Sequence, residues 1–81
     1  MTREEVFAGL KEVIAIIRPH TDLSKVSFDS QLVRDLGIDS LTMMLLALAA
    51  EEKFAVHFPD GQPLPKTVGE VCDSVLALQG K

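Results

Sequence analysis

The sequence predicts an all-α fold: a small four-helix bundle, three main helices plus a short third helix or turn, with a long first loop. Three observations carry that expectation. The chain has 81 residues, room for one domain spanning 1–81 and too little for an enclosed catalytic cleft. Its residues are 47% hydrophobic, yet there are only four Phe and no Trp or Tyr, so the core is aliphatic and suits packed helices better than a sheet. Apolar residues recur at helical spacing in several segments, each opened by a capping residue.

The first helix is expected from about Arg3 to Arg18. Thr2 followed three residues later by Glu5 fits a capping box, and Val6, Phe7, Leu10, Val13, Ile14 and Ile17 fall on one helical face. Pro19 pushes Arg18 out of the α region and stops it. Residues 19–39 then form a connection longer than compact domains usually tolerate without function or anchoring. Leu23, Val26 and Phe28 are its expected anchors. The stretch from Ser30 to Gly37 reads as a short helical turn, with Ser30 as cap and Gly37 as stop.

The second helix is expected over Ser40 to Phe54, with Asp39 as its cap and Ser40 at the first helical position. An anion attached to the Ser40 hydroxyl would lie at the positive end of the helix dipole, beside unpaired N–H groups, which makes Ser40 a tethering point. Leu41 to Ala50 is apolar around most of the helix, more than one buried face requires. At least one of Met43, Leu45 and Leu46 is therefore expected to meet a partner. Phe54 to Asp60 leaves the helix extended, with Phe58 turned inward and Pro59 blocking continuation. Gly61 to Lys66 holds two prolines and only a short turn around Leu64. Thr67 and Glu70 form a second capping box for the last helix, whose Val68, Val71, Cys72, Val75, Leu76 and Leu78 make its apolar face before Gly80.

Composition also limits function. Net charge is -4, and residues 35–60 hold five acids (Asp35, Asp39, Glu51, Glu52, Asp60) against the single base Lys53. That disfavours nucleic acid and suits partners bearing Lys or Arg, although an ordinary solvated acidic face explains it as well. The lone Cys72 forms no internal disulfide and the N-terminus lacks a basic segment followed by an apolar run, so a cytoplasmic location is expected. No apolar run reaches the roughly 20 residues of a membrane span. His20, His57 and Cys72 are too scattered for a metal site. Ser40 acting as a nucleophile with His57 or His20 as base would need a nucleophile elbow and an oxyanion hole, and neither motif is present.

The stretch Asp35-Leu36-Gly37-Ile38-Asp39-Ser40-Leu41 resembles the Asp-x-Gly-x-Asp-Ser-Leu region of acyl carrier proteins, and the resemblance runs through Glu51-Glu52-Lys53-Phe54, Phe58-Pro59-Asp60 and Thr67-Val68. It implies that Ser40 bears a covalent 4'-phosphopantetheine, donated by coenzyme A through a phosphopantetheinyl transferase, whose thiol carries acyl groups as thioesters. Asp39, Leu41 and Met44 would be read by the transferase or partner enzymes, with Leu45 on the same greasy face. Leu32, Leu36, Ala47, Leu48, Leu64, Val68 and Val71 would line an acyl pocket, though core packing explains their apolar character equally.

The resemblance further implies a monomeric carrier, itself no enzyme, that meets acyl-loading, condensing and acyl-transferring enzymes. One departure stands out. Carriers of primary fatty acid synthesis usually have several carboxylates just after the serine, whereas this chain has Thr42, Leu45, Ala49 and Ala50 there. That tilts the expectation towards polyketide or other specialised acyl chemistry. Primary fatty acid synthesis, an aryl or amino-acid cargo, and a helical interaction module that carries nothing are the alternatives.

Overall fold

The computed structural model describes residues 1–59, 61 and 64–80. Among these there are three α-helices, α1 (Arg3–Ile17), α2 (Ser40–Phe54) and α3 (Val68–Gln79), and no strand. A 3-10 turn, Leu23–Lys25, lies within the first loop. The all-helical expectation holds. The expected short segment around Leu64 falls partly on 62 and 63, outside the described residues, and Leu64 to Lys66 are not helical.

Capping side chains set the helix starts. Thr2 and Glu5 close the expected box, the Glu5 N–H donating to Thr2 Oγ1 at 3.2 Å and the Thr2 N–H to Glu5 Oε1 at 2.8 Å. The Thr2 N–H, with its hydroxyl, holds the Glu5 carboxyl below its ordinary range. At α3 the box is half formed: the Glu70 N–H donates to Thr67 Oγ1 at 3.1 Å, while the Glu70 carboxylate accepts from the Thr67 hydroxyl instead of its backbone. α2 ends on Ala55 at φ 55°, a left-handed conformation that lets the Glu51 carboxylate accept from the Phe58 N–H at 2.7 Å. The chain leaves α2 folded back, and Phe58 packs half-buried on the core, as expected.

α1 packs along both α2 and α3. Val6, Leu10, Val13 and Ile14 of α1 meet Leu46 and Ala50 of α2 and Val68, Val71, Cys72 and Val75 of α3 in one core, which Leu32, Leu36 and Ile38 of the first loop join. Val26 is buried, and the Phe28 ring stacks on Phe7 with centroids 4.4 Å apart, so the loop is anchored where its apolar residues suggested. Arg3 closes over this corner, its guanidinium 4.1 Å from the Phe28 ring and paired with Asp73 at 2.9 Å.

The first loop is also sewn to the start of α3. The Leu32 N–H donates to Lys66 O, Val68 N–H to Ser30 O and Gly69 N–H to Phe28 O, around an isolated bridge between Gln31 and Thr67. This seam corrects the expectation that Ser30 caps a short helix. Its hydroxyl instead accepts from the Ser27 N–H at 2.9 Å, and the Gln31 N–H donates to Asp35 Oδ2 at 2.7 Å, a cap supplied from four residues downstream. Residues 32–36 form turns, and Gly37 ends them at φ 67°, the left-handed region open to glycine.

Candidate functional site

Ser40 opens α2 and is exposed. Asp39 stands before it in extended backbone, and its Oδ1 accepts from the Thr42 N–H at 2.8 Å. That bond, with a smaller contribution from the positive charge of Arg18, holds the Asp39 carboxyl below its ordinary range. The cap is therefore charged at neutral pH, and the helix end at which first-turn N–H groups lack intrahelical partners is the one that carries Ser40. Among the described residues, no side chain bonds to Ser40 Oγ.

The charge around this helix start is more mixed than the sequence suggested. Asp35 and Asp39 both spend their carboxylates on backbone N–H groups. Arg18, Lys25 and Arg34 line one cleft that reaches Gly37, with the Arg18 guanidinium packed against it. Acidic side chains, Asp22 and Asp35, share that cleft with the three bases.

Beside Ser40 opens an apolar mouth of about 200 Å³, lined by Val33, Ile38, Asp39, Ser40, Met43 and Leu64. Further along α2 lies an inner but partly open cavity of about 140 Å³, between α2 and the segment leading into α3. Of the residues expected around an acyl pocket, Ala47, Leu64 and Val71 line this inner cavity, joined by Met43, Leu46 and Ala50. Leu32, Leu36 and Val68 are buried in the general core. Leu48 is 60% exposed and points away from it. Periodicity missed Met43 as a lining residue because α2 is apolar on every side.

The four side chains Leu41, Met44, Leu45 and Leu48 stand exposed at positions i, i+3, i+4 and i+7, a continuous stripe down the outer face of α2. Met43 and Leu46 are buried, so of the three residues expected to include a partner contact only Leu45 is available. No ionisable side chain lies between Ser40 and Ala50. The stripe is uncharged throughout.

Among the described residues neither histidine reaches Ser40. His57 Nδ1 is 3.1 Å from Glu51 Oε2 at the far end of α2, about 16 Å from Ser40 at the rise of an α-helix. His20 sits in a separate cleft with Ile17, Arg18, Pro19 and Thr21. Among the described residues no cluster of three or more His, Cys, Asp or Glu has metal-binding geometry. No helix among them is long and apolar enough to cross a membrane.

An exposed hydroxyl at a helix N-terminus lies next to an apolar mouth, and known proteins resemble the chain as follows. A family profile described as "Phosphopantetheine attachment site" matches residues 8–75. The acyl carrier protein of Renibacterium salmoninarum is 38% identical over 81 residues, covering 96% of each chain. That of Tropheryma whipplei strain Twist is 35% identical over 82 residues, 98% of this chain and 96% of the relative. The meromycolate extension acyl carrier protein of Mycolicibacterium smegmatis is 37% identical over 79 residues, 96% of this chain and 79% of the relative. The chain belongs to the phosphopantetheine-attachment family and is an acyl carrier protein, a carrier of covalently held groups and not a catalyst.

Proposed function

We propose that Ser40 is the residue that bears 4'-phosphopantetheine and that the loaded carrier serves polyketide or other specialised acyl metabolism. The observation that carries the first half is the exposed, unbonded Ser40 hydroxyl at the first position of α2. When attached, the group supplies a flexible arm ending in a thiol that holds acyl units as thioesters. The chain's own part is positional. Asp39 keeps the first turn of α2 formed, the free N–H groups there favour the negative phosphodiester, and the small body raises the effective concentration of its cargo at successive enzymes.

The second half rests on the uncharged first three turns of α2, and the name of the meromycolate extension relative is consistent with it. Asp39, Leu41, Met44 and Leu45 form the surface read by the transferase and by loading, condensing and transferring enzymes. Leu48 extends that surface. Chain 1–81 acts as one monomeric domain in the cytoplasm. A role in primary fatty acid synthesis is the second reading, favoured by the near full-length match to relatives named simply acyl carrier protein.

Incubation of the apo protein with coenzyme A, magnesium and a broad-specificity phosphopantetheinyl transferase should add one phosphopantetheinyl group by intact mass, and Ser40→Ala should gain none. Thiol titration gives an independent count. Burial pushes the Cys72 thiol up to about 11, so the native apo protein should show no reactive thiol at neutral pH and the modified protein one, that of the arm. An unchanged mass, or a gain that survives Ser40→Ala, refutes the assignment.

A further inference from the structure

We propose that Met43 is the partition that sets how much acyl chain the carrier can shelter. The proposal rests on Ser40 being the attachment residue. Met43 lies one turn after Ser40 and borders both spaces described above, the mouth beside the serine and the inner cavity. It also borders a third, side groove of about 580 Å³ that runs past Val33 and Pro65 to Thr67 and Glu70. Leu64 is the other residue common to all three.

The two differ in how they are held. Leu64 is 66% exposed and contributes a wall that solvent already reaches, whereas Met43 is 5% exposed and wedged into the core. The separation of mouth from inner cavity therefore depends on the Met43 side chain. Methionine suits that position because its unbranched thioether has three rotatable bonds and can re-pack without disturbing its neighbours.

The volumes convert this geometry into a size limit. An inner cavity of about 140 Å³ matches the roughly 150 Å³ that holds a benzene-sized guest, so it accepts about six carbons. A chain up to that length fills the inner cavity behind Met43. A longer chain leaves carbons in the mouth or the side groove, both walled by the exposed Val33 and Leu64, where less apolar surface is removed from water. The carrier thus shelters short acyl or aryl-sized groups most fully, and longer chains stay more accessible to partner enzymes.

The test loads Ser40 directly from acetyl-, butyryl-, hexanoyl-, octanoyl- and decanoyl-coenzyme A, with intact mass confirming each product. Two readouts follow: thermal melting and the 13C-methyl resonances of methionine. The Tm gain per added carbon should hold through hexanoyl and fall by roughly half or more beyond it. The Met43 methyl should shift progressively with chain length while the exposed Met44 methyl stays fixed. Met43→Ala joins mouth and inner cavity, so its Tm gain, measured against its own acetyl form, should continue through decanoyl. Met43→Leu, which conserves volume, should keep the original limit and guards against a merely destabilised Met43→Ala protein. A native Tm gain that rises evenly to decanoyl, a silent Met43 methyl, or a length profile unchanged in Met43→Ala overturns the proposal. Failure of any acyl group to attach would instead refute Ser40 as the attachment residue.

Discussion

Asp39 illustrates how a single side chain prepares the site at residue scale. Its folded-state pKa is depressed by the Thr42 N–H, so the cap stabilises the protein above the unfolded carboxylate range and that stabilisation is lost as pH falls through the folded pKa. Asp39→Asn keeps an acceptor but removes the charge. Its Tm should lie below that of the native protein at neutral pH, and the gap should close as both are melted at progressively lower pH within the acid range. A gap independent of pH would show that the carboxylate charge plays no part.

Local caps of this kind were readable in advance, because Thr2, Asp39 and Thr67 each bond within the following turn. Ser30 was not. The Gln31 N–H that a helix start would leave unpaired is taken by Asp35, and the Ser30 hydroxyl turns back to Ser27. A serine in a loop signals a cap equally well in either direction, and only the path of the chain decides between them.

At the scale of the element, α2 combines two apolar faces on one helix. The inner face, Met43, Leu46, Ala50 and Phe54, belongs to the core, and the outer face, Leu41, Met44, Leu45 and Leu48, meets solvent. The sequence showed that α2 has more apolar surface than one face needs but could not assign each residue, since an all-round apolar helix has no phase to read. For the same reason Leu48 was expected in the pocket and lies on the outer stripe. The outer residues have the anchor spacing of a helix that lies in a groove. Leu45→Glu should leave Tm within the roughly 0.5 kcal/mol range of surface substitutions yet lower kcat/KM for phosphopantetheinylation about tenfold. Unchanged kinetics would remove Leu45 from the recognition surface.

For the whole molecule, α1 is the common support. It holds α2 and α3 while the space between those two stays lined but unfilled. The helix boundaries and the loop anchors Val26 and Phe28 were legible because each follows from local periodicity or burial. The seam between the first loop and α3 was not. It depends on backbone groups more than thirty residues apart, and no side-chain pattern marks them.

That seam offers a readout for the cargo proposed above. Val33 and Leu64 both line the mouth, and the bond from the Leu32 N–H to Lys66 O at 2.9 Å joins the two segments that carry them. Cargo that spreads the mouth must stretch this bond, and cargo held wholly behind Met43 leaves it alone. Amide hydrogen exchange at Leu32, Val68 and Gly69 should therefore stay close to the unloaded rate with a hexanoyl group and quicken about tenfold with a decanoyl group. Equal exchange for both would mean that the mouth takes long chains without yielding. Quicker exchange with the longer group would mean that occupancy at Ser40 is felt at the first turn of α3, on the far side of the seam.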